Sequence, residues 1–188
     1  MKNFTVNWFN TSGKPNFEEY LSELKNKKNL EFLEIGSYEG QATCWLAENF
    51  PQANITCIDT FEGGMEHNRE QLNIDTLYDR FKSNIEPYKA RIEIKRGVSG
   101  EMLKSCNKKY DFVYIDGSHQ APDVLEDMIL SFRMLKQSGI MIMDDYSWDA
   151  YKDDETLNPR LAIDVFMQVF KNKFELIFKG YQVGIKKL

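Results

Sequence analysis

Short, unbroken apolar runs alternate along the chain with stretches whose apolar residues return every three or four positions. The runs cover residues 30–35, 55–58, 92–94, 112–115 and 140–143, and each is followed by a small or polar residue. Because they do not alternate polar with apolar, they read as strands buried on both faces. Helical spacing links Phe17, Tyr20, Leu21 and Leu24, then Val124, Met128, Phe132 and Leu135, then Ala162, Phe166, Val169 and Phe170. Pro122 stands where a helix start tolerates it, and Gly139 is expected to stop that helix. The tail, FELIFKGYQVGIKKL, holds two strand-like stretches meeting at Gly180 with no room for a helix, so the last strand should run antiparallel. These elements predict an α/β fold: a doubly wound, seven-stranded sheet, mostly parallel with an antiparallel C-terminal strand, and helices on both faces.

A length of 188 residues suits one domain, with residues 1–29 as an N-terminal helical cap and 30–188 as a catalytic core. The formal net charge of −5 argues against a nucleic-acid partner, which would need a field of Lys and Arg. The N-terminus lacks a signal-like apolar stretch and no later segment approaches a membrane span, which predicts a cytoplasmic protein without membrane contact. Cys44, Cys57 and Cys106 are odd in number and form no C-x-x-C pair, so buried reduced thiols are expected.

Parallel sheets of this kind bind ligands beyond the carboxyl ends of their strands, so the residues there carry the candidate chemistry. After the first run comes Glu34-Ile-Gly36-Ser37-Tyr38-Glu39-Gly40, in which Gly36 and Gly40 allow a tight turn close to a ligand. The spacing is not G-x-G-x-x-G, which argues against a dinucleotide pyrophosphate. Asp59 ends the second run, 19 residues beyond Gly40, where a carboxylate could hold two ribose hydroxyls. The ordinary alternatives are a structural turn and a capping Asp. The third run leads into Arg96-Gly97-Val98-Ser99-Gly100, small enough to lie against a purine or to be a plain turn. Asp116 follows the fourth run, and Asp144 and Asp145 follow the fifth. Three carboxylates in one crevice repel unless a cation is shared, and Mg²⁺ or another hard divalent ion suits such oxygens. Exposed turn residues are the alternative. His119, three residues past Asp116, is a candidate general base; His67 sits in a polar stretch that reads as loop or lid.

FLEIGSYEGQAT, CIDTFEGG, RGVSGEML and FVYIDGSHQAPDVLEDMILSFRMLKQSGIMIMDDY resemble the class I S-adenosylmethionine-dependent methyltransferases, with their Rossmann-like sheet. Within that class the chain is similar to metal-dependent O-methyltransferases of the catechol and macrocin/mycinamicin sugar types. The resemblance implies that Glu34, Gly36, Ser37, Tyr38 and Gly40 surround the methionine part of the cofactor, that Asp59 and Thr60 hold its ribose, and that Gly97, Val98 and Ser99 flank its adenine. Asp116 would also touch the cofactor. It further implies Asp116, Asp144 and Asp145 as ligands of Mg²⁺, with His119 and Asp116 catalytic. Catechol-type enzymes carry Asp-Asn where this chain has Asp144-Asp145, which favours the sugar branch; the long N-terminal additions of that branch are missing here. The expected partner is a small-molecule methyl acceptor chosen by residues 1–29, 61–69 and 146–159, including Trp148 and Tyr151, and self-association would give a homodimer. The rivals are a protein that binds cofactor or partner without catalysis, and a nicotinamide-dependent reductase. The reductase reading rests on Tyr78 and Lys82, which mimic Tyr-x-x-x-Lys but precede the third strand.

Overall fold

The computed structural model describes residues 2–64 and 72–188. These form α1 (Trp8–Thr11), α2 (Gly13–Tyr20), β1 (Glu31–Ile35), α3 (Gln41–Asn49), β2 (Asn54–Asp59), α4 (Leu77–Ile85), β3 (Ile92–Arg96), α5 (Ser99–Lys104), β4 (Tyr110–Ile115), α6 (Ala121–Met134), β5 (Leu135–Met143), α7 (Pro159–Phe170), β6 (Phe174–Lys179) and β7 (Val183–Lys187). The strands make one sheet in the order β3-β2-β1-β4-β5-β7-β6. Strands β1 to β5 pair in parallel, and β7 is antiparallel to both β5 and β6, as the hairpin at Gly180 predicts. Chain order reverses between β1 and β4, which opens a crevice at their carboxyl ends.

Side chains of successive residues in β1, β2, β4 and β5 enter opposite cores, so these strands are apolar toward both faces, whereas β3, at the sheet edge, departs from that expectation, with Glu93 exposed between half-buried Ile92 and Ile94. Phe32, Phe112, Tyr114, Ile140 and Ile142 join Phe17, Trp45 and Phe81 on one face. Leu33, Val113, Ile115, Met141 and Met143 meet Val124, Met128, Phe132 and Phe166 on the other. Helix α4, which repeats Leu77, Phe81 and Ile85 every four residues, fills the connection between β2 and β3.

Two local expectations are corrected. Gly139 does not end a helix: α6 stops at Met134, and Leu135 is already extended as the first residue of β5. Leu135 pairs with Tyr110 and Ile140 with Phe112, so the residues between them bulge from the ladder. Ser138 there adopts φ +59°, and a side chain on Gly139 would press on Leu135 and the Lys136 carbonyl at 2.9 Å. The N-terminal helical spacing is likewise split. Helix α2 ends at Tyr20 and a 3₁₀ turn over Ser22–Leu24 carries Leu24 inward, so Phe17, Leu21 and Leu24 are buried and Tyr20 half-buried without one continuous helix. Among the described residues no helix is long and apolar enough to cross a membrane. Cys44 and Cys57 are buried, Cys106 is half-buried, and all three are free; burial pushes the Cys44 thiol up to about 12.

Candidate functional site

The backbone ladder runs one residue past the strands and so fixes where each loop begins. The Gly36 amide donates to the Ile58 carbonyl at 2.9 Å, Asp116 to Ile35 at 2.8 Å, Asp144 to Ile115 at 2.9 Å, and Gly97 to Asp59 at 3.0 Å. Beyond this edge lies a cavity of about 1210 Å³. It is lined by Gly36, Tyr38, Asp59, Thr60, Gly97, Val98 and Ser99 toward one end, and by Asp116, His119, Asp144 and Asp145 toward the other.

Gly36 has φ +84°, and a Cβ there would come within 1.8 Å of the Asp116 carbonyl oxygen. The loops after β1 and β4 therefore touch, and only glycine permits it. Asp59 braces the same loop: its Oδ2 accepts from the Tyr38 amide at 2.8 Å and its Oδ1 from the Phe61 amide at 2.6 Å.

Glu34, Ser37 and Gly40 do not line the cavity. Glu34 is fully buried beneath the loop, where its Oε2 accepts from Ser37 Oγ at 2.7 Å, from Thr43 Oγ1, and from Cys57 Sγ at 3.3 Å. Burial holds its carboxyl above the usual range. Ser37 is spent on Glu34, and Gly40 caps α3 with φ +82° while Phe81 packs beside it. These residues shape the loop from below.

At the other end Tyr114, two residues before Asp116 on β4, points the same way as that aspartate. Its hydroxyl lies 3.0 Å from Asp116 Oδ2 and also donates to Asp144 Oδ2. Asp144 Oδ2 accepts further from Gln182 Nε2 at 2.7 Å, and its Oδ1 from the Asp145 amide at 2.7 Å. Asp145, at φ +59°, has its Oδ1 bonded to the Tyr181 hydroxyl at 2.7 Å and its Oδ2 facing His119 Nε2 at 2.8 Å. Desolvation and then the charges of Asp144 and Asp145 push the Asp116 carboxyl well up, and desolvation with the Asp145 charge raises Asp144. Burial, followed by the Asp145 charge, raises the Tyr181 hydroxyl.

Aromatic rings wall both ends. Trp148 lies 4.2 Å from the His119 ring and contacts Tyr151, while Trp8 from α1 meets Tyr38 at 5.5 Å. Trp148, Tyr151 and Trp8 all face the cavity, as do Gly63 and Gly64 from the stretch 61–69; the rest of that stretch from residue 65, with His67, lies outside the described residues. Tyr78 and Lys82 sit on α4 away from the cavity, Lys82 paired with Asp79 at 2.9 Å, so they form no reductase pair.

Tyr114, Gln182, Tyr181 and Trp8 are functional candidates that the pattern of strand ends did not mark. Only Tyr114 had a local signal, its two-residue spacing from Asp116.

The donor chemistry fits a hard divalent cation: three carboxylates share one hollow, and two of them, Asp116 and Asp144, meet on one hydroxyl and are raised by burial and then by neighbouring carboxylate charge. In the present arrangement no three His, Cys, Asp or Glu side chains among the described residues are grouped closely enough to hold an ion. Their oxygens are taken up instead by Tyr114, Gln182 and Tyr181.

Residues 33–146, which run from within β1 through β5 and hold most of these loops, match the family model described as a methyltransferase domain. The chain belongs to this methyltransferase family. The domain is 27% identical over 133 residues to uncharacterized protein R132 of Acanthamoeba polyphaga mimivirus, covering 68% of this chain and 57% of that protein. Its fold is similar to the methyltransferase MycE of the mycinamycin biosynthetic pathway in complex with Mg, SAH and mycinamycin VI (TM-score 0.68, 16% identity, 99% of this chain and 51% of that one). It is similar too to an O-methyltransferase from Bacillus cereus in complex with SAH (TM-score 0.66, 18% identity, 93% and 80%). The chain spans about half the length of the curated relatives it matches, between 41% and 57%. In this methyltransferase domain the glycine loop, Asp59 and the three strand-end aspartates all open onto one hollow.

Proposed function

We propose that this domain binds S-adenosylmethionine in the cavity and transfers its methyl group to an oxygen of a small hydroxylated acceptor, such as a sugar, a catechol or a related natural product. The observation that carries the reading is the meeting of Asp116, Asp144, Asp145 and His119 in the same cavity that Gly36 and Asp59 border. The relatives that are O-methyltransferases and the neighbour bound to Mg, SAH and mycinamycin VI support it.

The touching loops around Gly36 leave backbone close to the ligand, which suits the amino-acid tail of the cofactor. Asp59, whose carboxylate oxygens can only accept, takes hydrogen bonds from the ribose hydroxyls, and Gly97, Val98 and Ser99 cover the adenine. Asp116, Asp144 and Asp145 would hold a divalent cation, which when bound lowers the pKa of a coordinated hydroxyl. His119 accepts the acceptor's hydroxyl proton, and Asp145 Oδ2, 2.8 Å away, stabilises the imidazolium that results. Trp148, its ring 4.2 Å from that of His119 and tilted by 43°, keeps bulk water from the imidazole and presents a face to the acceptor ring. With donor and acceptor aligned, displacement at the methyl group needs no covalent enzyme intermediate.

Calorimetric titration with S-adenosylmethionine and with NADPH, followed by a labelled-methyl transfer screen over hydroxylated acceptors with and without chelator, tests the proposal. Binding of S-adenosylmethionine but not NADPH, with chelator-sensitive transfer, is the expected outcome. Tight NADPH binding refutes the cofactor assignment, and full transfer after thorough chelation refutes the metal role.

A further inference from the structure

The turn from β3 into α5 leaves an apolar side chain uncovered. Val98 is 59% exposed and borders the cavity, while the hydroxyl of Ser99 beside it is bonded to buried Asp127. The next residue, Gly100, is buried, and a Cβ there would stand 2.6 Å from Glu126 Oε2 on α6. Because Gly100 has no side chain, the Glu126 carboxylate comes against this turn, and it too borders the cavity. Its Oε1 lies 3.4 Å from Lys104 Nζ in an exposed ion pair.

We propose that Glu126 reads the edge of the cofactor's purine, its carboxylate accepting a hydrogen bond from the exocyclic 6-amino group of an adenine that lies over Val98. The assignment rests on the proposed cofactor. A carboxylate can only accept, so it matches the N–H donors that adenine carries at this edge and opposes the carbonyl oxygen that a 6-oxo purine carries there. Ring and edge are recognised by different groups. Val98 offers apolar area to the face of any purine, so selection among purines needs a polar side chain at the rim. Gly97, Val98 and Gly100 have none, and the Ser99 hydroxyl is committed to Asp127. Of the two acidic side chains that α6 brings to the cavity, Asp123 accepts from Ser118 Oγ at 2.8 Å, and Glu126 is the one set against the adenine turn.

The ratio of two affinities separates this role from simple packing. S-adenosylhomocysteine and S-inosylhomocysteine, which differ only where the purine carries its 6-amino or 6-oxo group, are titrated calorimetrically into the full chain as wild type, Glu126→Gln and Glu126→Ala, and the melting temperature is recorded for each. Glu126 is exposed, so both variants are expected to fold. Wild type is expected to prefer the amino form by about tenfold or more. The amide of E126Q accepts from an amine or, turned over, donates to a carbonyl, so the two ligands are expected to bind within about threefold of each other. E126A is expected to weaken S-adenosylhomocysteine by about tenfold and S-inosylhomocysteine by less, which lowers the same ratio. A wild-type ratio in folded E126Q and E126A overturns the role of Glu126 alone, as does a wild-type protein that binds both ligands equally. Failure of the wild-type protein to bind S-adenosylhomocysteine overturns the cofactor reading and the role of Glu126 with it.

Discussion

Asp127 on α6 is buried, 1% exposed, directly beneath the loop that begins α5. Desolvation raises its carboxyl to about 7 against the lowering effect of a hydrogen bond from Ser99, and the charges of Asp123 and Glu126 add to the rise. A carboxyl that binds its proton more tightly when folded costs nothing below its unfolded pKa. It destabilises increasingly as pH climbs from about 4 to about 7, and imposes the full penalty above that. At 1.36 kcal/mol per pKa unit, the rise from 3.8 to about 7 corresponds to about 4 kcal/mol as an upper bound. Asn at this position keeps the shape and a partner for Ser99 but has no charge to desolvate. Asp127→Asn should therefore be close to wild type in stability near pH 4 and more stable by about 2–4 kcal/mol at pH 8. Urea unfolding followed by circular dichroism across this range gives the difference directly, and the pH dependence of other buried carboxyls cancels between the two proteins. A stability difference that stays constant from pH 4 to pH 8 would refute the reasoning.

His119→Ala should lower turnover by roughly 10²–10⁴-fold with cofactor affinity nearly unchanged, as steady-state rates and calorimetry together would report. Gly36→Ala drives a Cβ to 1.8 Å from the Asp116 carbonyl at a positive φ, so it should lose about 3 kcal/mol or more of stability and its cofactor binding, visible as a lower melting temperature and a silent titration. Asp59→Asn removes one of two acceptor oxygens and should weaken S-adenosylmethionine about tenfold or more by calorimetry, whereas unchanged affinity would exclude the ribose role.

The chain's local chemistry was enough to determine the sheet and the line of residues along its edge. The runs at 30–35, 55–58, 112–115 and 140–143 demand cover on both faces, the alternating Ile92–Ile94 run adds an edge strand, and the Gly180 turn leaves room only for a hairpin, so seven strands and the antiparallel β7 follow from period and length. The residues just after those runs, Gly36, Asp59, Asp116, Asp144 and Asp145, reach the cavity because every parallel strand of such a sheet ends on the same side. Which way each side chain turns beyond that edge was a tertiary matter. Ser37 in the glycine loop and Glu34 at the end of β1 read as cavity residues, yet a buried hydrogen-bond cluster with Thr43 and Cys57 holds them beneath the loop. Gly139 reads as a helix stop in sequence and is a bulge in β5, because pairing of Leu135 with Tyr110 ends the helix earlier. Asn16 and Gln182 stand 166 positions apart, and neither spacing nor composition links them. They meet beside Asp144 only because α2 packs near the point where β7 enters the sheet next to β5, and a hydrogen bond between remote segments leaves no period in the chain for a reader to find.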